Sequence, residues 1–133
     1  LSKMAGAAAE GTYLGASADF TGDSASDVQK ELNAGAMEKL GEALNGITIS
    51  SYDAVMALKK AIETADSIDP KKVAETLPTI VFESSYGPAA FGGADVYGNP
   101  QQILVPVMIT QVRDGNAVEV GRISPAELKE RLK

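Results

Sequence analysis

The sequence predicts an α/β fold, and three observations carry that prediction. Residues 28–44 and 52–62 place apolar side chains at helical spacing, residues 79–82 and 102–112 are rich in β-branched residues, and Asp114-Gly115 stands between two extended runs as a hairpin turn. The chain has 133 residues, 44% of them apolar, which is enough for one globular domain with a real hydrophobic core.

The elements follow in order. Residues 11–16 (Gly-Thr-Tyr-Leu-Gly-Ala) read as a short strand whose glycines let the chain bend or let another backbone come close. A turn-rich loop over 19–24 comes next, and Ser24 or Ser26 can cap the helix after it. In that helix Val28, Leu32, Ala36, Met37, Leu40 and Leu44 form one apolar stripe, and Asn45-Gly46 is expected to end it. The segment Ile47-Thr48-Ile49-Ser50-Ser51 looks extended, yet Tyr52, Val55, Met56, Leu58 and Ile62 carry a helical pattern straight after it. A second helix is therefore expected to start between Thr48 and Ser51, where a hydroxyl can accept an orphan amide hydrogen. Ala54, Ala57 and Ala61 suit it to close packing, which makes it the core helix candidate. Asp69-Pro70 supplies a cap and a first-turn proline for a short helix over 71–76, ended before Pro78. From residue 79 onward the chain is mostly strand, with Pro106 predicting an edge position or a bulge. Ser124-Pro125-Ala126-Glu127 opens a last helix with a cap, a proline at its first position and an acidic first turn.

The chemistry is bounded by what is missing. Without cysteine or histidine there is no disulfide, thiolate nucleophile, Cys-ligated zinc or Ser-His-Asp triad. A net charge of −6 repels phosphate backbones, so nucleic acid is not an expected partner. The longest apolar stretches, at 5–9 and 103–109, are far below the roughly 18 residues of a membrane span. The opening Leu1-Ser2-Lys3-Met4, running into Ala and Gly, is too short for a secretory core and reads as a chain that begins mid-element without its own targeting signal.

Carboxylates are the available acid/base groups. Asp23 with Asp27, Glu38 with Glu42, and Glu127 with Glu130 can each share a helix face, but none has the apolar setting that splits a catalytic pair, so they read as solvated faces and no catalytic residue is assigned. Asp19, Asp23 and Asp27 lack the spacing and terminal Glu of a calcium loop, and no metal or cofactor is expected. The glycine-rich stretch 91–100 lacks a Gly-Lys-Ser/Thr ending, and reads as a compact turn pinned by Phe91 and Tyr97. What remains is 47–52. Hydroxyls at a helix start beside two β-branched apolar residues suit a small polar–apolar solute, but spacing alone favours simple capping.

The order of features resembles the C-terminal part of type I periplasmic solute-binding proteins, in the branched-chain amino-acid family of ABC importers. The resemblance is carried by Ala8-Ala9-Glu10-Gly11, Ser51-Tyr52-Asp53-Ala54-Val55, Gly87-Pro88-Ala89-Ala90-Phe91-Gly92-Gly93, Tyr97-Gly98 before Gln102, and Val112-Arg113-Asp114-Gly115. It implies a partial fold, the C-terminal third of two α/β lobes joined by three crossovers, which close on a ligand. Carried over, residues 1–10 would be a hinge-crossing segment with Glu10 and Gly11 at the hinge, residues 11–78 would belong to lobe one, and residues 79–133 to lobe two. Ile47, Thr48 and Ser50, before the Tyr52-Asp53-Ala54-Val55 helix, would line the ligand. The partners implied are an amino acid or organic or aromatic acid and an ABC permease, in a periplasmic or other extracytoplasmic location.

Members of that family are more than twice as long, so the chain reads as a fragment. Leaving about 600 Å² of apolar surface uncovered forfeits about 15 kcal/mol, and association with another copy or with the missing segment is expected. The competing expectation is a self-contained oligomeric interaction module that binds no small molecule.

Overall fold

The computed structural model describes residues 5–16 and 22–133. The opening 1–4 and the loop residues 17–21, Asp19 among them, lie outside the described residues. Five α-helices and six strands are formed among those described: β1 (Tyr13–Ala16), α1 (Asp27–Leu40), α2 (Gly46–Ala65), α3 (Pro70–Thr76), β2 (Val81–Ser84), β3 (Gly87–Gly92), α4 (Ala94–Tyr97), β4 (Gln102–Leu104), β5 (Val107–Arg113), β6 (Asn116–Ile123) and α5 (Ala126–Arg131). The strands make two antiparallel sheets, ordered β1-β5-β6 and β2-β3-β4.

These elements form two compact units that do not follow chain order. The first holds 1–46 and 106–123, and the second holds 47–105 and 124–133, so the chain passes between them after Gly46, Val105 and Ile123. The expected segments 11–78 and 79–133 are each divided between the units. Strand pairing is the reason: β1 bonds to β5, almost a hundred residues downstream, and not to its sequence neighbours.

In the first unit, Asp114-Gly115 forms a two-residue turn between the paired Arg113 and Asn116. Both turn residues have positive φ, 52° and 76°, as the tight hairpin requires. β5 alternates strictly, burying Met108, Thr110 and Val112. A register shift between Ile109 and Thr110 sets Val120 as the extra residue of a β-bulge. Helix α1 starts with a full capping box: Ser26 Oγ accepts from the Gln29 N–H at 3.1 Å, and Gln29 Oε1 accepts from the Ser26 N–H at 3.0 Å.

That helix corrects two expectations. It ends at Leu40, where Gly41 takes a left-handed φ of 71°, and not at Asn45-Gly46. Its buried residues are Gln29 and Asn33, while the expected apolar stripe leaves Leu40 74% exposed and Met37 49% exposed. The inward side chains are needed for polar work. Gln29 completes the amino-end cap, and Asn33 Oδ1 accepts from the Leu44 N–H at 3.0 Å, closing the loop after the helix.

Helix α2 begins at Gly46, the last residue of the first unit's opening segment, and continues in the second unit, so it starts earlier than the expected point between Thr48 and Ser51. The β-branched run Ile47-Thr48-Ile49 enters the helix because Ile49 is fully buried, and packing outweighs its modest helical propensity. The helix buries Ile49, Asp53, Ala57 and Ala61 at every fourth position, whereas Val55 and Leu58 of the expected stripe face solvent. Ala57 and Ala61 join Val73, Ile80, Phe82, Ala89 and Phe91 in the core. Phe82 and Phe91 lie on paired strands with ring centroids 5.9 Å apart. The small alanines are what bring the helix close to these rings.

Asp69 caps α3 as expected, accepting from the Lys71 and Lys72 N–H groups with Pro70 at the first helical position. At α5, Pro125 is itself the cap residue and no side chain caps the helix, so Ser124 does not serve. The helix is tied down by Leu128, buried, and by the Arg131 guanidinium, which donates to the Pro78 carbonyl at 2.6 Å. Pro106 is neither an edge residue nor a bulge. It falls between β4 and β5, which belong to different sheets. In the glycine-rich stretch, Gly93 and Gly98 have positive φ and Phe91 is buried, but Tyr97 is 67% exposed and does not pin the turn.

Candidate functional site

The amino end of α2 is where the sequence placed a ligand wall. Ile47 is 82% exposed, Thr48 and Ser50 are exposed, and Ile49 between them is buried. Helical geometry turns Ile47 and Thr48 away from the buried stripe at 49, 53, 57 and 61, whereas Ser50, seven positions before Ala57, lies along that stripe and is exposed at the helix's first turn. The three candidates share the first turn of the helix without sharing a face, since Thr48 and Ser50 stand on opposite sides of the buried Ile49. Ser51 Oγ donates to the Ile47 carbonyl at 3.2 Å, a bond made inside the helix.

The residue that sequence reasoning missed is Asp53. It is only 4% exposed, and its carboxylate accepts two bonds from Ser85, from the backbone N–H at 2.6 Å and from the hydroxyl at 3.0 Å. Burial pushes the Asp53 carboxyl above the ordinary value of 3.8, against the opposite pull of the two Ser85 donors. The signal was an acidic residue four positions after Ile49 and four before Ala57, on the buried stripe.

The other candidates are distributed elsewhere. Glu10 and Gly11 lie inside the first unit. Glu10 accepts from the backbone N–H groups of Asp114 and Gly115, at 3.0 and 3.3 Å, and so braces the hairpin turn. The Gly11 N–H donates to the Val112 carbonyl at 2.9 Å. Asp23, Asp27, Glu38, Glu42, Glu127 and Glu130 are all exposed, as solvated faces should be. Glu127 also serves locally, since its Oε2 accepts from the Gly93 N–H at 2.9 Å, over Gly92, where any Cβ would collide with this carboxylate. Among the described residues no group of three or more acidic side chains converges as a metal site would.

A family model described as periplasmic binding protein matches residues 1–117. The chain belongs to the periplasmic binding protein family. Solved structures share the fold. A leucine-binding protein of Thermotoga maritima is 25% identical with a TM-score of 0.70, over 96% of this chain and 35% of that one. A branched-chain amino acid ABC-transporter periplasmic ligand-binding protein of Burkholderia xenovorans is 18% identical with a TM-score of 0.75, over 96% and 34%. An ABC-transporter solute-binding protein of Rhodopseudomonas palustris, in complex with 3,4-dihydroxybenzoic acid, is 18% identical with a TM-score of 0.71, over 90% and 32%. The chain thus spans about a third of the length of these structures and presents part of the family's fold.

Proposed function

We propose that these residues belong to the extracytoplasmic solute-binding component of an ABC importer, which captures a small carboxylate-bearing solute. The family match over residues 1–117 carries the reading. Its relatives include proteins named for leucine and for branched-chain amino acids, and one solved with an aromatic acid, so the solute class is an amino acid or an aromatic acid. The partners are that solute and an ABC permease, and the role is transport, with no bond made or broken. The location follows from the family, and among the described residues no helix is long and apolar enough to cross a membrane.

Ile47, Thr48 and Ser50 form part of the ligand wall in this reading. Their exposure beside a buried Ile49 supports it, as does the positive end of a 20-residue helix, which favours a carboxylate. Capture works by stabilising the closed arrangement of two lobes, so affinity depends on the whole fold. Thermal-shift screening of the full-length protein against amino acids and aromatic acids tests the reading. A specific solute at a hundred times its dissociation constant adds about 2.7 kcal/mol, and no shift with any member of either class would exclude it.

A further inference from the structure

The amino-terminal half of α2 is held differently from the rest of the helix. From Met56 to Ile62 the helix packs into the apolar core through Met56, Ala57, Ala61 and Ile62. Before that, its buried residues are Ile49 and Asp53. Apolar contacts are non-directional and leave rotation and sliding to be fixed by something else. Asp53 is the one ionisable side chain among the buried described residues, and both bonds of its carboxylate come from one residue, Ser85, which is itself 0% exposed.

Ser85 is the first of the two turn residues that join Ser84 to Gly87. That turn is braced from within: Ser84 Oγ donates to the Gly87 carbonyl at 2.8 Å and accepts from the Tyr86 N–H at 3.1 Å. The carboxylate therefore grips a stiff anchor through two donors with different directions, which sets the rotation of the helix as well as its distance. We propose that Asp53 is a positioning residue, a latch between α2 and the β2–β3 turn that fixes how Ile47, Thr48 and Ser50 are presented. The functional part of this claim rests on those three residues being a ligand wall.

Amide hydrogen exchange on the chain in its present form tests the latch. In Asp53→Ala, the amides of residues 50–55 should exchange about tenfold faster or more relative to those of 57–65, with the β5–β6 hairpin unchanged. Asp53→Asn should restore protection, because its Oδ1 still accepts from the Ser85 N–H and its Nδ2 can donate to the Ser85 hydroxyl. Unaltered exchange in Asp53→Ala, equal acceleration along the whole of α2, or an Asp53→Asn variant as fast as Asp53→Ala would each overturn the proposal. If Asp53→Ala does not fold, Ser85→Ala, which removes one of the two bonds, decides by the same local criterion. No solute is present in this measurement. A failed solute screen beside an intact latch defeats the transport reading, and with it the presentation of a ligand wall, but leaves the latch standing; a positive screen beside a failed latch test defeats the latch alone.

Discussion

At the scale of single residues, Asp53 shows how a polar group is kept in a core. Its folded-state pKa lies above the ordinary 3.8, so the native state holds the proton more tightly than the unfolded chain does. Stability from this group is therefore greatest at low pH and falls as pH rises through the window from 3.8 to the raised value. Asp53→Asn keeps the bonding and removes the buried charge. Denaturant midpoints should show the variant more stable than the parent at neutral pH, with the difference shrinking as pH falls toward 3.8. Gly115 is a second residue whose role is fixed locally. Its φ of 76° is costly for any side chain, so Gly115→Ala should lower stability by about 1–2 kcal/mol in chemical denaturation. The sequence made this position legible, since Asp-Gly between extended runs is a backbone signal. It did not reveal Asp53, whose partner is 32 positions away.

At the scale of elements, helical periodicity located the helices better than it located their buried faces. α1 buries Gln29 and Asn33, whose bonds finish its ends, and leaves Val28, Met37 and Leu40 exposed, although Met37 and Leu40 continue the face of Gln29 and Asn33 at helical spacing. Gly35 lies in this helix with nothing within 4 Å of where a Cβ would stand. Gly35→Ala should therefore stabilise by about 0.5–1 kcal/mol in thermal or denaturant unfolding. α2 gives the contrasting case. Ala61 is 0% exposed in the core with Phe82 and Phe91, and Ala61→Leu should overpack it at a cost of about 1–3 kcal/mol. Val55, 64% exposed on the same helix, should accept alanine with a change within about 0.5 kcal/mol. Equal values at 55 and 61 would mean that the helix buries a different face. The amino end of α2 was half legible. Its hydroxyls and isoleucines marked the place, but an extended-looking run became helix because Ile49 found a buried position.

At the scale of the whole molecule, the exposed large apolar residues matter more than any pair of contacts. Tyr13 at 64%, Leu40 at 74%, Ile47 at 82%, Val55 at 64% and Ile123 at 62% leave apolar surface on helices and strands alike. Light scattering on the chain should show self-association that rises with concentration, and a well-folded monomer throughout the micromolar range would contradict this. The sequence by itself determined most element types, the hairpin turn and the caps of α1 and α3, because each rests on residues within a few positions of one another, and it carried the family resemblance through the order of short motifs along the chain. Only the tertiary structure decided which strands share a sheet, how the units divide the chain, which helix faces are buried and that Asp53 meets Ser85. Those outcomes depend on contacts between distant segments, and local propensity and periodicity contain no information about which distant partner will be met.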